Sequence, residues 1–123
     1  MDEEYLEAVL DVVGLVPAGR VMTYGSVAEV VADGLVAAGG RPRGGPRQVG
    51  TVLARAGGDV PWWRVVDASG RPPAAHLRRA LGRLDDEGTP LTADGTRVAL
   101  RLAVWWPGDD VPGRPDDPGP AAG

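Results

Sequence analysis

The sequence predicts a mainly α fold with short strands, on three observations. Apolar residues recur at three- and four-residue steps in four windows. Stretches suited to extended chain are brief: Arg20-Val21-Met22, Val65-Val66 and Val98–Leu102. Clusters of Gly and Pro separate these pieces. At 123 residues with 43% apolar content, the chain suits one domain with a modest core.

Each element has a local reason. Over 3–13, Tyr5, Leu6, Val9, Leu10 and Val13 form one helix face, and acids fill the first turn, where the helix dipole favours them. Pro17-Ala18-Gly19 marks a turn, and Arg20-Val21-Met22 is extended. Thr23 caps a second helix with Val27, Ala28, Val30 and Val31 inward. Residues 33–46 read as a Gly-rich, flexible loop with solvated Arg residues. Pro46 then opens a third helix to about Ala56, with Val49, Val52 and Leu53 inside and Gly57-Gly58 as its stop. Two short helices joined by a loop suggest a helix-turn-helix, although the joining loop exceeds the usual tight turn. The third helix's outer face holds Arg47, Gly50, Thr51 and Ala54. Small residues there allow either close packing of another element or entry into a narrow groove.

Pro61-Trp62-Trp63-Arg64-Val65-Val66 predicts a strand. Adjacent Trp side chains on a strand point to opposite faces, so one core cannot bury both. A half-exposed Trp and a wall for stacking a flat group both fit. A fourth helix spans 75–87, with Leu77, Ala80, Leu81 and Leu84 inward and Arg78, Arg79 and Arg83 outward. Val98–Leu102 suggests a closing strand or hairpin, with Asp94-Gly95 as its turn. Trp105-Trp106 should fold back on the body, and 107–123 reads as a disordered tail rich in Pro, Gly and Asp. The domain is therefore placed at 1–106.

The absence of Cys excludes disulfides and thiol chemistry, and the lone His76 argues against a His-based metal site. The charge of -4 is unevenly spread: between Arg20 and Arg71 seven Arg face four acids. A basic middle between acidic ends permits a nucleic-acid face. No signal peptide or membrane-length apolar run is evident, so a soluble cytoplasmic protein is expected. His76 has no evident triad partner, and the carboxylates suggest no acid/base pair. Binding is thus better supported than catalysis.

Residues 4–106 resemble the DNA-binding domain of the O6-alkylguanine-DNA alkyltransferase family. Three segments carry the resemblance: Val16-Pro17-Ala18-Gly19-Arg20-Val21-Met22-Thr23-Tyr24-Gly25, Arg47-Gln48-Val49-Gly50 and Pro61-Trp62-Trp63-Arg64-Val65-Val66. In active members the third segment reads Pro-Cys-His-Arg-Val, the Cys accepting the alkyl group and the His assisting its deprotonation. Trp62 stands at the Cys position, which marks the alkyltransferase-like proteins, binders of O6-alkylguanine that hand the lesion to nucleotide excision repair without repairing it.

The resemblance implies a winged helix-turn-helix DNA-binding domain, entry through the minor groove and a flipped nucleotide. It places Tyr24, Arg47, Gln48, Gly50, Thr51 and Ala54 on DNA. Tyr24 would help rotate the nucleotide, and Arg47 would fill the gap it leaves. Tyr24, Trp62, Trp63, Arg64, Val65 and Arg71 are expected around the lesion, with Arg64 mainly architectural. No cofactor or metal is implied; a monomer is expected, with alkylated duplex DNA and excision-repair proteins as partners. The sequence departs from the family at Trp63, where His is usual, and in the loop enlarged by Gly39–Gly45, whose Arg41 and Arg43 would add phosphate contacts. Relatives often carry a basic residue on the loop after the pocket, a role open here to Arg71 or His76. The rival readings are a regulator of undamaged sequence and a residual base-excising enzyme.

Overall fold

The computed structural model describes residues 2–56, 58 and 60–109. Three helices, α1 (Glu3–Leu15), α2 (Tyr24–Ala37) and α3 (Pro46–Ala56), pack against one another. Strand β1 (Met22–Thr23) pairs in parallel with β2 (Val65–Val66), Met22 opposite Val65 and Thr23 opposite Val66. Helix α4 (Leu77–Asp86) follows β2 and packs on the Trp62–Arg64 turn, and α5 (Leu100–Ala103) is a single turn.

Helix starts follow the side-chain chemistry. Asp2 accepts from the backbone N–H groups of Glu4 (3.0 Å) and Tyr5 (3.3 Å), capping α1. Thr23 and Ser26 cap α2 reciprocally: each hydroxyl accepts from the other's backbone N–H, at 3.0 and 2.9 Å. Loss of such a cap costs about 1 kcal/mol.

Three expectations need correction. First, α2 continues through residues read as loop, to Ala37. Leu35 repeats the inward positions of Val27 and Val31 and is only 5% exposed. Burying a Leu contributes about 1.5–3 kcal/mol, which outweighs the ~1 kcal/mol helix cost of Gly34. Second, the remaining loop is tied down. Arg43 donates to Asp2 and to Glu4, each at 2.6 Å, so it does not stand free for a phosphate. Gly44 has φ +81° and lies where a Cβ would overlap the Tyr5 ring, so the loop docks on α1 only with Gly there. Third, Leu100–Ala103 is helical, not extended. A strand would put Leu100 and Leu102 on one face, yet Leu102 is 61% exposed while Ala103 is buried. The helical turn instead lets the Ala103 carbonyl accept from Val21 N–H (3.0 Å) and Trp105 N–H donate to the Val21 carbonyl (2.9 Å). The hairpin itself is present: Leu91 bridges Val98, and Asp94 accepts from Thr92 and Thr96 at its tip.

The small sheet separates two cores. Met22 and Val65 face the larger one, with Val9, Val13, Val27, Val31, Val49, Val52 and Trp105. Val21 and Val66 face the smaller, with Leu84, Val98 and Ala103. Alternation along extended chain sends neighbours to opposite sides. Trp106 stays 40% exposed, and Pro107–Asp109 makes a turn, Asp109 N–H donating to the Trp106 carbonyl at 2.9 Å. The rest of the expected tail, from residue 110, lies outside the described residues.

Candidate nucleic-acid interface

Trp62, Trp63 and Arg64 form a 3-10 turn instead of the expected strand. Trp62 N–H donates to Val60 and Arg64 N–H to Pro61, at 2.7 and 2.9 Å, so the backbone coils before entering β2. The two indoles still diverge. Trp62 packs against the larger core and Trp63 against the smaller. They meet edge to face, ring centres 5.8 Å apart at 87°, a favoured aromatic geometry.

Trp62 lines a cavity of about 250 Å³. Tyr24, at the start of α2, lines it too, because the β1–β2 pairing ties the segment before α2 to the segment after the Trp turn. From α3 come Gly50, Leu53 and Ala54. Gly58 lines it between α3 and the Trp turn, and the rest of the lining follows β2: Pro73, Ala75 and His76 at the approach to α4, and Arg79 on α4 itself. The volume lies below the roughly 300–1,000 Å³ of drug-sized sites, and suits one planar group against an aromatic wall. Gly50 matters for its lack of a side chain. A Cβ there would meet the Tyr24 ring at 3.9 Å, ordinary contact, but would project beside the cavity.

The charges around the two Trp are ordered. Arg79 lies over the Trp62 ring, 5.6 Å from its centre, and the His76 ring is 5.6 Å from it. Trp63 has Arg83 at 4.7 Å and Arg64 at 5.5 Å. Cations over indole faces are attracted by the ring quadrupole. Arg64 also grips Glu87 through two nitrogens and donates to the Val16 carbonyl at 2.8 Å. That pair is 17% and 16% exposed, so solvent screens it far less than a surface pair. Burial pushes the Glu87 carboxyl up most, but the bonds and charge of Arg64, together with Trp63 and the Gly19 backbone, outweigh it and the net shift is downward. At Tyr24, burial and then the Asp67 carboxylate hold the phenol above its ordinary value of 10.0. It therefore stays a neutral hydroxyl beside the cavity.

The expected site residues divide by place. Tyr24, Gly50, Ala54 and Trp62 come together around the cavity. Arg47 and Thr51 are exposed on α3, where the Thr51 hydroxyl donates to the Arg47 carbonyl at 3.1 Å. The Gln48 side chain accepts from Gly45 N–H at 3.0 Å, which engages it with the loop. Trp63, Arg64, Val65 and Arg71 are not in the lining. Val65 is fully buried because its strand pairing turns it into the larger core. Arg71 is exposed, and its N–H donates to Asp67 in the turn after β2. Of the two basic residues flanking the loop, His76 reaches the cavity and Arg71 does not. From the sequence Arg79 is one of three outward Arg residues on the fourth helix. His76 ends the 3-10 turn before α4 and Arg79 lies in the first turn of α4, and the docking of α4 on the Trp turn brings both to Trp62.

Among the described residues no cluster of His, Asp and Glu could hold a metal, and no helix is long and apolar enough to cross a membrane. The description "6-O-methylguanine DNA methyltransferase, DNA binding domain" matches residues 4–89. The chain belongs to this family. Its matched region takes in α1 to α4, and so every wall of the cavity. Within the family, the chain is similar to a DNA base-flipping protein of Vibrio parahaemolyticus, 30% identical over 109 residues that cover 85% of this chain and 99% of that one. A DNA base-flipping protein of Escherichia coli is 38% identical over 108 residues, 85% of this chain and 76% of that one. The fold matches S. pombe Atl1 in complex with damaged DNA containing O6-carboxymethylguanine, with TM-score 0.68 and 30% identity over 87% of this chain and 99% of that one. The mainly helical winged helix-turn-helix expected from the sequence is the architecture of this family member.

Proposed function

We propose that this chain is a non-enzymatic sensor of alkylated DNA. It binds duplex DNA through the minor groove with α3, turns an O6-alkylguanine out of the stack and holds it against Trp62. The carrying observation is the composition of the cavity: Trp62 stands where the resemblance expects the alkyl-accepting Cys, facing Tyr24 and Gly50. An indole offers a stacking face and no thiolate, so it suits retention of a flipped base and not alkyl transfer. Exposed Arg47, at the start of α3, is the residue to occupy the vacated space, with Gln48, Gly50, Thr51 and Ala54 along the groove-facing helix. Tyr24, Trp62 and Arg79 bound the lesion; Trp63, Arg64, Val65 and Arg71 support the pocket from outside it. Residues 1–106 carry the activity as a cytoplasmic monomer, and the bound complex directs the lesion to nucleotide excision repair.

The test compares duplexes with and without O6-methylguanine at matched salt. Tighter binding to the lesion is expected. Equal affinity would sink the reading, because phosphate contacts alone give no such preference. Preference for a defined undamaged sequence would favour a regulator, and release of free base would reveal an excising enzyme.

A further inference from the structure

The cavity is walled mainly by apolar and aromatic groups, yet one full charge stands in its lining. Arg79 has no ion pair or hydrogen bond with any other described residue. Its neighbours differ. Arg64 is held by Glu87, and Arg83 stacks on Trp63, outside the lining. No residue of the cavity lining is acidic. The guanidinium of Arg79 meets Trp62 across the ring face. A cation held over a ring face by its charge, with no hydrogen bond to another described residue, keeps N–H donors available to a further acceptor.

We propose that Arg79 makes this cavity selective for guanines whose O6 substituent ends in a carboxylate, over neutral substituents of the same shape. The inference rests on the lesion-binding reading above. A cavity of about 250 Å³ is comparable in width with the screening length of physiological salt, about 8 Å, so a charge inside it feels Arg79. A carboxylate presents two coplanar acceptors that match the arginine fork, whereas an amide presents one and leaves the cation uncompensated. Arg79 is an exposed residue, and solvent screening limits the preference to about fivefold.

Three duplexes test this, alike except for guanine, O6-carboxymethylguanine or its neutral isostere O6-carbamoylmethylguanine at one position. Wild type, R79K and R79Q are titrated with each, and circular dichroism confirms the fold of the variants. Wild type should bind the carboxymethyl duplex about fivefold more tightly than the carbamoylmethyl duplex. The ratio should persist in part in R79K, fall to about one in R79Q and shrink as salt rises. A wild-type ratio near one, or a ratio unchanged in R79Q, overturns the proposal. Equal weakening of both adducts in R79Q, with the ratio kept, assigns Arg79 to the phosphate backbone and overturns it as well. If neither adduct is preferred over plain guanine, the lesion-binding reading itself fails, an outcome distinct from equal preference for both.

Discussion

Replacing Gly50 by Ala should make the protein more stable and a poorer lesion binder. Gly50 sits inside α3 with no left-handed backbone conformation to require glycine. Ala in a helix interior gains about 0.5–1 kcal/mol over Gly, chiefly by restricting the unfolded chain. The added Cβ finds only the Tyr24 ring within 4 Å, at 3.9 Å, so no clash offsets that gain. For a domain of this size the melting temperature should rise by about 3–5 °C. Gly50 lines the cavity, so the same methyl group adds bulk to the surface that the proposed flipped base must pass. Overfilling a tight contact costs about 1–3 kcal/mol, or at least a fivefold weakening. Thermal unfolding followed by circular dichroism gives the first quantity, and fluorescence polarisation with an O6-methylguanine duplex the second. Stability raised with lesion affinity kept within about twofold would refute the placement of Gly50 at the interface. A fall in melting temperature would refute the packing argument instead.

Arg47→Ala should weaken lesion binding more than Arg101→Ala, which lies on α5 and outside the cavity lining; similar losses in a titration would remove Arg47 from its proposed place. Arg64→Ala strands a shielded Glu87 and should cost about 2–4 kcal/mol in urea unfolding, against less than about 1 kcal/mol expected if the pair behaved as a surface one. Because the folded-state pKa of Glu87 is lowered, its contribution is fully present above its ordinary value of 4.5 and fades as pH falls through the lower folded value. Stability measured against pH should show this acid-side loss in wild type and a flatter limb in E87Q. Trp62→Cys should not transfer a methyl group to the protein, since Trp63 stands where active members of the family carry the His that follows the reactive Cys, and His76, although it faces the Trp62 ring, comes from the approach to α4 and not from that position; detection of methylated protein by mass spectrometry would contradict this.

Local signals in the sequence carried the helices and their starts. The 3.6-residue spacing of Tyr5, Val9 and Val13, the Thr23 cap, and Pro46 at the head of α3 are decided within a few residues of themselves. Such signals act at short range, so they survive without knowledge of the fold. The Trp pair illustrates the boundary. Its residue types alone say that two adjacent indoles cannot share one side of a core, and its place in the third motif says which family to expect. The backbone that separates them is a 3-10 turn and not a strand, because long-range pairing of β1 with β2 sets where the extended chain begins.

Contacts between distant segments account for what could not be read. The docking of Gly44 on Tyr5 and the hold of Asp2 and Glu4 on Arg43 turn an apparently free loop into a fastened one. The seat of α4 on the Trp turn selects His76 and Arg79, from several basic residues in that region, to face Trp62. From the sequence alone came the helical class, the absence of a thiol and a Trp at the family's reactive position. Only the tertiary structure decided which side chains share that cavity with the Trp, because a cavity is formed by surfaces that meet across the chain and leave no periodic mark along it.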